Sequence, residues 1–162
     1  MRASLEDLLA AVVAACRQHY GQRLVSLAVY GSVGRDVPRP DSDVDLLIVA
    51  EDLPRGRVAR AADFQRVEQA VAPRLAALRS EGITPELSPI FKTPAELSQG
   101  SPLLLDMVED ARLLHDRGDV LRVVLAALRE RLQHLGARRV WRGSAWYWDL
   151  KPDYAPGEVI DL

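Results

Sequence analysis

The stretch VYGSVGRDVPRPDSDVDLLIV, residues 29–49, carries most of what this chain discloses about its fold. An apolar run ends in Gly31-Ser32, a polar segment rich in Gly, Pro and Asp follows, and Asp43-Val44-Asp45 opens a second apolar run. The two runs, LVSLAVY (24–30) and VDLLIVA (44–50), are short and β-branched, which predicts buried strands. Residues 31–43 between them predict a loop. Side chains alternate along a strand, so Asp43 and Asp45 share one face and stand close enough for one divalent cation. Mg2+ prefers such oxygen donors and takes one or two protein carboxylates together with substrate phosphate. Gly31 lets a phosphate approach the backbone, and Ser32 offers both an N–H and a hydroxyl. A helical turn starting at Ser32 would add free N–H groups. Arg35, one turn on, is placed to neutralise a terminal phosphate. An Asp-x-Asp alone is commonly a solvated acid pair, and Gly-Ser alone is ordinary turn chemistry. Their conjunction carries the inference, since acids set against LLIV cost desolvation unless a cation compensates.

Outward from this stretch, Leu5, Leu8, Leu9, Val12, Val13 and Cys16 recur at helical spacing. They predict a helix over 4–20, with Ser4 as N-cap and Gly21 as its stop. A second helix is expected over 56–80, kinked at Pro73 and closed by Gly82. Residues 83–91, with two prolines, predict an irregular, edge-like third strand. Thr93 and Pro94 mark the start of a short helix. A further helix over 102–110, a short strand ARLLHD and a last helix capped by Asp119 and ending near Gly136 complete the pattern. Asp106, Glu109 and Asp110 read as a solvated helix face. The order predicts an α/β (α+β) fold, a small mixed sheet flanked by helices.

At 162 residues, 48% apolar and 27% charged, the chain suits one compact domain. A net charge of -2 makes no case for nucleic acid as partner. A lone Cys16 on the apolar helix face excludes an internal disulfide framework. No run of 18 apolar residues occurs, and the acidic N-terminal segment does not resemble a signal peptide, so no membrane contact and a cytoplasmic location are expected. His19, His115 and His134 lack ligand spacing. We expect a main domain over 1–136 and an aromatic tail over 137–162, which holds Trp141, Trp146 and Trp148. Trp146 and Trp148 would share a strand face, covering the domain's own core or anchoring a partner. With Arg138, Arg139 and Arg142 they could also suit RNA stacking.

The spacing of Gly31, Ser32, Arg35, Ser42, Asp43, Asp45 and Leu46 closely resembles the signature of the polymerase-beta-like nucleotidyltransferase superfamily, and most of all its minimal nucleotidyltransferases. Asp36 departs, standing where a glycine is common. The motif covers about 20 residues, and the element order extends the resemblance over residues 1–116. The resemblance implies transfer of a nucleoside monophosphate, AMP from ATP, to a hydroxyl. Magnesium would be held by Asp43 and Asp45, and the triphosphate by Gly31, Ser32 and Arg35. It also implies a third carboxylate on a neighbouring strand, for which Glu86 is the candidate as the one acid inside the expected third strand. Minimal nucleotidyltransferases often act as antitoxins of HEPN-type toxins, so a separate protein acceptor is expected, and a homo-oligomer is left open. Two alternatives stand beside this: a fold retained without catalysis that silences a partner by contact, and a transferase acting on a small molecule.

Overall fold

A computed structural model describes residues 1–143 and 145–160. The runs 24–30 and 44–50 form the two central strands, β1 (Leu24–Tyr30) and β2 (Val44–Ala50), paired antiparallel. β3 (Leu87–Lys92) runs parallel to β2, and β4 (Arg112–Asp116) antiparallel to β1, giving the order β3-β2-β1-β4. The sheet is therefore mixed, as the sequence predicts, and β3 with its Pro89 lies at an edge, where a missing N–H is tolerated.

β1 and β2 are buried along both faces, which is why they read as continuous apolar runs rather than alternating ones. One face, with Leu27, Val29, Leu46 and Ile48, packs under α1 (Arg2–Tyr20) and α3 (Arg57–Ser80). The other face, with Ala28, Tyr30, Leu47 and Val49, packs under α4 (Pro94–Ser98), α5 (Leu103–Asp110) and α6 (Val120–His134). Between β1 and β2 the chain makes one short helix, α2 (Gly31–Gly34), before the expected loop. Beyond α6, β5 (Arg138–Arg142) and β6 (Ala145–Asp149) pair as an antiparallel hairpin. No helix among the described residues is long and apolar enough to cross a membrane. Cys16 is fully buried, and burial pushes its thiol up to about 12.

The helix ends show where local signals succeed and where tertiary contacts override them. Gly21 caps α1 at φ 55, as expected. Ser4 is not the N-cap: α1 begins at Arg2, and the Ser4 hydroxyl donates to Glu81 at the end of α3. Asp119 occupies the N-cap position of α6 in a left-handed conformation without a side-chain cap. The N–H groups of Leu121 and Arg122 donate instead to Asp116, whose carboxylate also accepts from the fully buried Ser26 hydroxyl. Pro73 sits inside α3, and the helix continues past it to Ser80.

Thr93 caps α4 in a reciprocal box with Glu96. Arg60 binds the same Glu96 through two nitrogens at 2.7 and 2.8 Å and also donates to the carbonyl of Pro54. These contacts hold the Glu96 carboxyl down to about 2, led by its hydrogen bonds from Arg60. A depressed carboxyl stabilises the fold above its ordinary range and loses that contribution as pH falls toward the folded value. Glu96→Gln is expected to lower the unfolding free energy by about 1 kcal/mol at neutral pH, allowing for partial exposure. In chemical denaturation the deficit should shrink as pH falls from about 4 toward 2.

Candidate active site

The site forms where β1 ends and β2 begins. Tyr30 pairs with Asp45 across the two strands, so the Gly31 turn lies against the Asp45 side chain. Gly31 adopts φ +65, a conformation L side chains rarely take, and a Cβ there would overlap the Asp45 carboxylate. Gly34, at the far end of α2, is equally constrained: a Cβ would come within 2.5 Å of the Asp110 carbonyl. Glycine at both places is thus a matter of space, and Gly31-Ser32 and Asp45 come together as the spacing predicts.

Asp45 alternates along β2 with Leu47 and Val49, so it faces the α5 side of the sheet. Asp43 is exposed and Asp45 is half-buried. The Asp45 carboxyl is raised above its ordinary value, first by burial and then by the charge of Asp43, with Asp106 adding to the repulsion. Ser88, its register partner on β3, and Arg35 oppose the shift without cancelling it. Beside it, Tyr30 is pushed up to about 12 by burial and by the charges of Asp45 and Asp106. The site therefore holds an excess of negative charge that its own arginine leaves uncompensated. Such a donor set fits a divalent cation, and fits Mg2+ in particular, which needs only one or two protein carboxylates.

Glu86 is exposed and lies one residue before β3, where its carbonyl accepts the Val44 N–H at 2.8 Å. It precedes the first β2–β3 register pair, Val44 and Leu87. No group of three or more His, Cys, Asp or Glu side chains able to hold a metal is assembled among the described residues. Asp43 and Asp45 thus converge without a third acid joining them in a closed cluster.

Of the three α5 acids read as a solvated face, Asp106 and Glu109 are exposed as expected, and Asp110 is not. Asp110 is buried, with Oδ2 accepting from Arg35 at 2.7 Å and Oδ1 accepting two bonds from Arg139 at 2.9 Å. Asp106 carries a carboxyl raised by desolvation and by Asp110. Helical periodicity placed Asp106 and Asp110 on one face, i and i+4, but not on which side of the helix the sheet would lie. No local signal ties Asp110 to Arg139, which lies 29 residues further on. Arg35 consequently stands beside the Gly31-Ser32 turn with one guanidinium nitrogen committed to Asp110. Ser32, Arg35, Ser42 and Trp141 line an open cleft of about 870 Å³.

Residues 9–115 match the nucleotidyltransferase domain family. Over 115 residues the chain is 31% identical to a candidate protein adenylyltransferase of Methanocaldococcus jannaschii, covering 70% of this chain and 73% of that protein. In fold it resembles a toxin–antitoxin crystallised with AMP-PNP, at TM-score 0.50 and 16% identity over 78% of this chain and 88% of that one. It also resembles a spectinomycin adenyltransferase from Enterococcus solved with ATP and spectinomycin, at TM-score 0.55 and 12% identity. That second likeness covers 80% of this chain and 66% of the Enterococcus protein. At these identities the two structures speak to fold alone.

A carboxyl raised by folding destabilises the protein once it ionises, so the stability present below the ordinary Asp range is lost as pH rises through the raised value. Asp45→Asn is therefore expected to raise the Tm of the metal-free protein at pH 7. The gain should narrow as pH falls through the raised Asp45 value and be gone below about 4, where the carboxyl is neutral folded and unfolded alike. Thermal melts across that pH range check this.

Proposed function

The chain belongs to the nucleotidyltransferase domain family, and from that premise we propose that it moves AMP from ATP to a hydroxyl on a partner protein in a magnesium-dependent reaction. The observation that carries the proposal is the Asp43/Asp45 pair, with Asp45 raised by burial and by Asp43, set against a Gly31 that admits no side chain. The half-buried Asp45, raised by burial and by Asp43, carries an electrostatic cost that a bound cation would offset.

In this reading Asp43 and Asp45 hold Mg2+, which offsets charge on the α-phosphate and on the departing pyrophosphate. The Ser32 N–H and hydroxyl receive phosphate oxygens, and Gly31 leaves room for them. Arg35, steadied by Asp110, adds positive charge to the same side of the cleft without swinging freely. Glu86, just ahead of β3 and outside a closed acid cluster, is the residue we nominate as the third carboxylate, which would draw the proton from the attacking hydroxyl. The hydroxyl oxygen bonds to the α-phosphorus as the bond to pyrophosphate breaks.

A protein acceptor is supported by the name of the Methanocaldococcus relative and by the toxin–antitoxin likeness. We assign the acceptor to a HEPN-type toxin, with the chain acting as its antitoxin. The fold shared with the spectinomycin enzyme makes a small-molecule hydroxyl the rival acceptor.

The test incubates the protein with Mg2+ and each α-labelled NTP, alone and with the product of the adjacent gene. Label from ATP is expected on a hydroxyl of that partner, lost at least about a hundredfold in Asp43→Ala/Asp45→Ala and reduced at least about tenfold in Glu86→Gln. A partner silenced equally by wild type and double mutant, with no label transferred, would contradict the proposal. Unchanged turnover in Glu86→Gln would remove that residue alone.

A further inference from the structure

The C-terminal hairpin has two unlike faces. Register pairs Trp141 with Trp146 and Arg139 with Trp148, so alternation puts Arg139, Trp141, Trp146 and Trp148 on one face. Arg138, Arg142 and Tyr147 occupy the other. On the first face the Arg139 guanidinium lies 4.4 Å from the centre of the Trp146 ring, 5.7 Å from that of Trp141 and 5.9 Å from that of Trp148. Its nitrogens donate to Asp110, whose other oxygen holds Arg35. The Trp148 indole N–H donates to the carbonyl of Leu105 on α5. The hairpin is thus anchored to the helix that positions Arg35.

Trp141 is spent differently from its neighbours. It is 52% exposed, although an indole gains by burial, and it lines the same cleft as Ser32, Arg35, Val37, Ser42 and Glu109. An exposed indole held by a cation–π stack a short distance from a phosphate-binding turn is a ready surface for a flat aromatic group. We propose that Trp141 is the stacking platform for the base of the bound nucleoside triphosphate. The Asp110–Arg139 ion pair sets the platform's position relative to Ser32 and Arg35. This rests on the nucleotide-binding reading above and adds to it a residue outside the matched family span of 9–115. Stacking of this kind tolerates every base, so Trp141 supplies affinity rather than a choice among ATP, GTP and CTP.

The test measures binding of ATP and of inorganic tripolyphosphate, each with Mg2+, by calorimetry. Trp141→Ala is expected to weaken ATP binding about tenfold and leave tripolyphosphate binding unchanged, while Trp141→Phe keeps ATP binding within about threefold of wild type. Tyr147→Ala, on the opposite hairpin face, should bind ATP like wild type. Equal ATP affinity in wild type and Trp141→Ala would overturn the platform and leave the nucleotide site standing. An equal loss for ATP and tripolyphosphate would also overturn it, because the effect would then lie in the phosphate contacts. A wild-type protein that binds neither ligand would overturn the nucleotide reading itself, and the platform with it.

Discussion

The arrangement depends on the Asp45 carboxylate, held where burial and a neighbouring charge both disfavour its ionised form. β2 must carry Asp45 at the edge of the core because Leu47 and Val49, on the same face, fill the space beneath α5. β1 must then end in a glycine, because the turn that leaves Tyr30 presses on that carboxylate. The fold thereby bears a local electrostatic penalty that a bound cation would relieve. A stretch of sequence, a strand register and a chemical capacity are one constraint here.

A second ion-pair system extends that constraint across the molecule. Asp110 closes α5 and spends both carboxylate oxygens on arginines, one from the turn after β1 and one from the last hairpin. Removing either arginine would leave one oxygen of the buried Asp110 carboxylate without its hydrogen-bond partner. Residues 35, 110 and 139, far apart in sequence, are therefore fixed relative to one another. The aromatic hairpin is part of the same electrostatic unit as the Gly31-Ser32 turn.

The central strands were legible in the sequence because they are buried on both faces and so lack competing polar positions. Thr93-Pro94-x-Glu96 was legible because a capping box is a local device. Ser4 misled because α1 starts ahead of it, leaving its hydroxyl to donate to Glu81, and Asp119 because its left-handed backbone leaves the capping bonds to Asp116 three residues earlier. The pairing of Gly31 with Asp45 followed from spacing across two adjacent strands. The inward turn of Asp110 did not, since it depends on which side of α5 meets the sheet and on an arginine 29 residues away. The family resemblance stated from residues 31–46 agrees with the match over 9–115. The hairpin lies outside that span.

The most direct test of the central claim is a count of bound metal. Mn2+, which is paramagnetic and an accepted substitute for Mg2+ at oxygen-ligand sites, can be titrated against the protein with a non-hydrolysable ATP analogue, reading free ion by electron paramagnetic resonance. Wild type is expected to bind Mn2+ more tightly as pH rises through the raised Asp45 value, and Asp45→Asn to weaken binding at least about tenfold and reduce that pH dependence. Equal affinity and an equal pH profile in wild type and Asp45→Asn would contradict it.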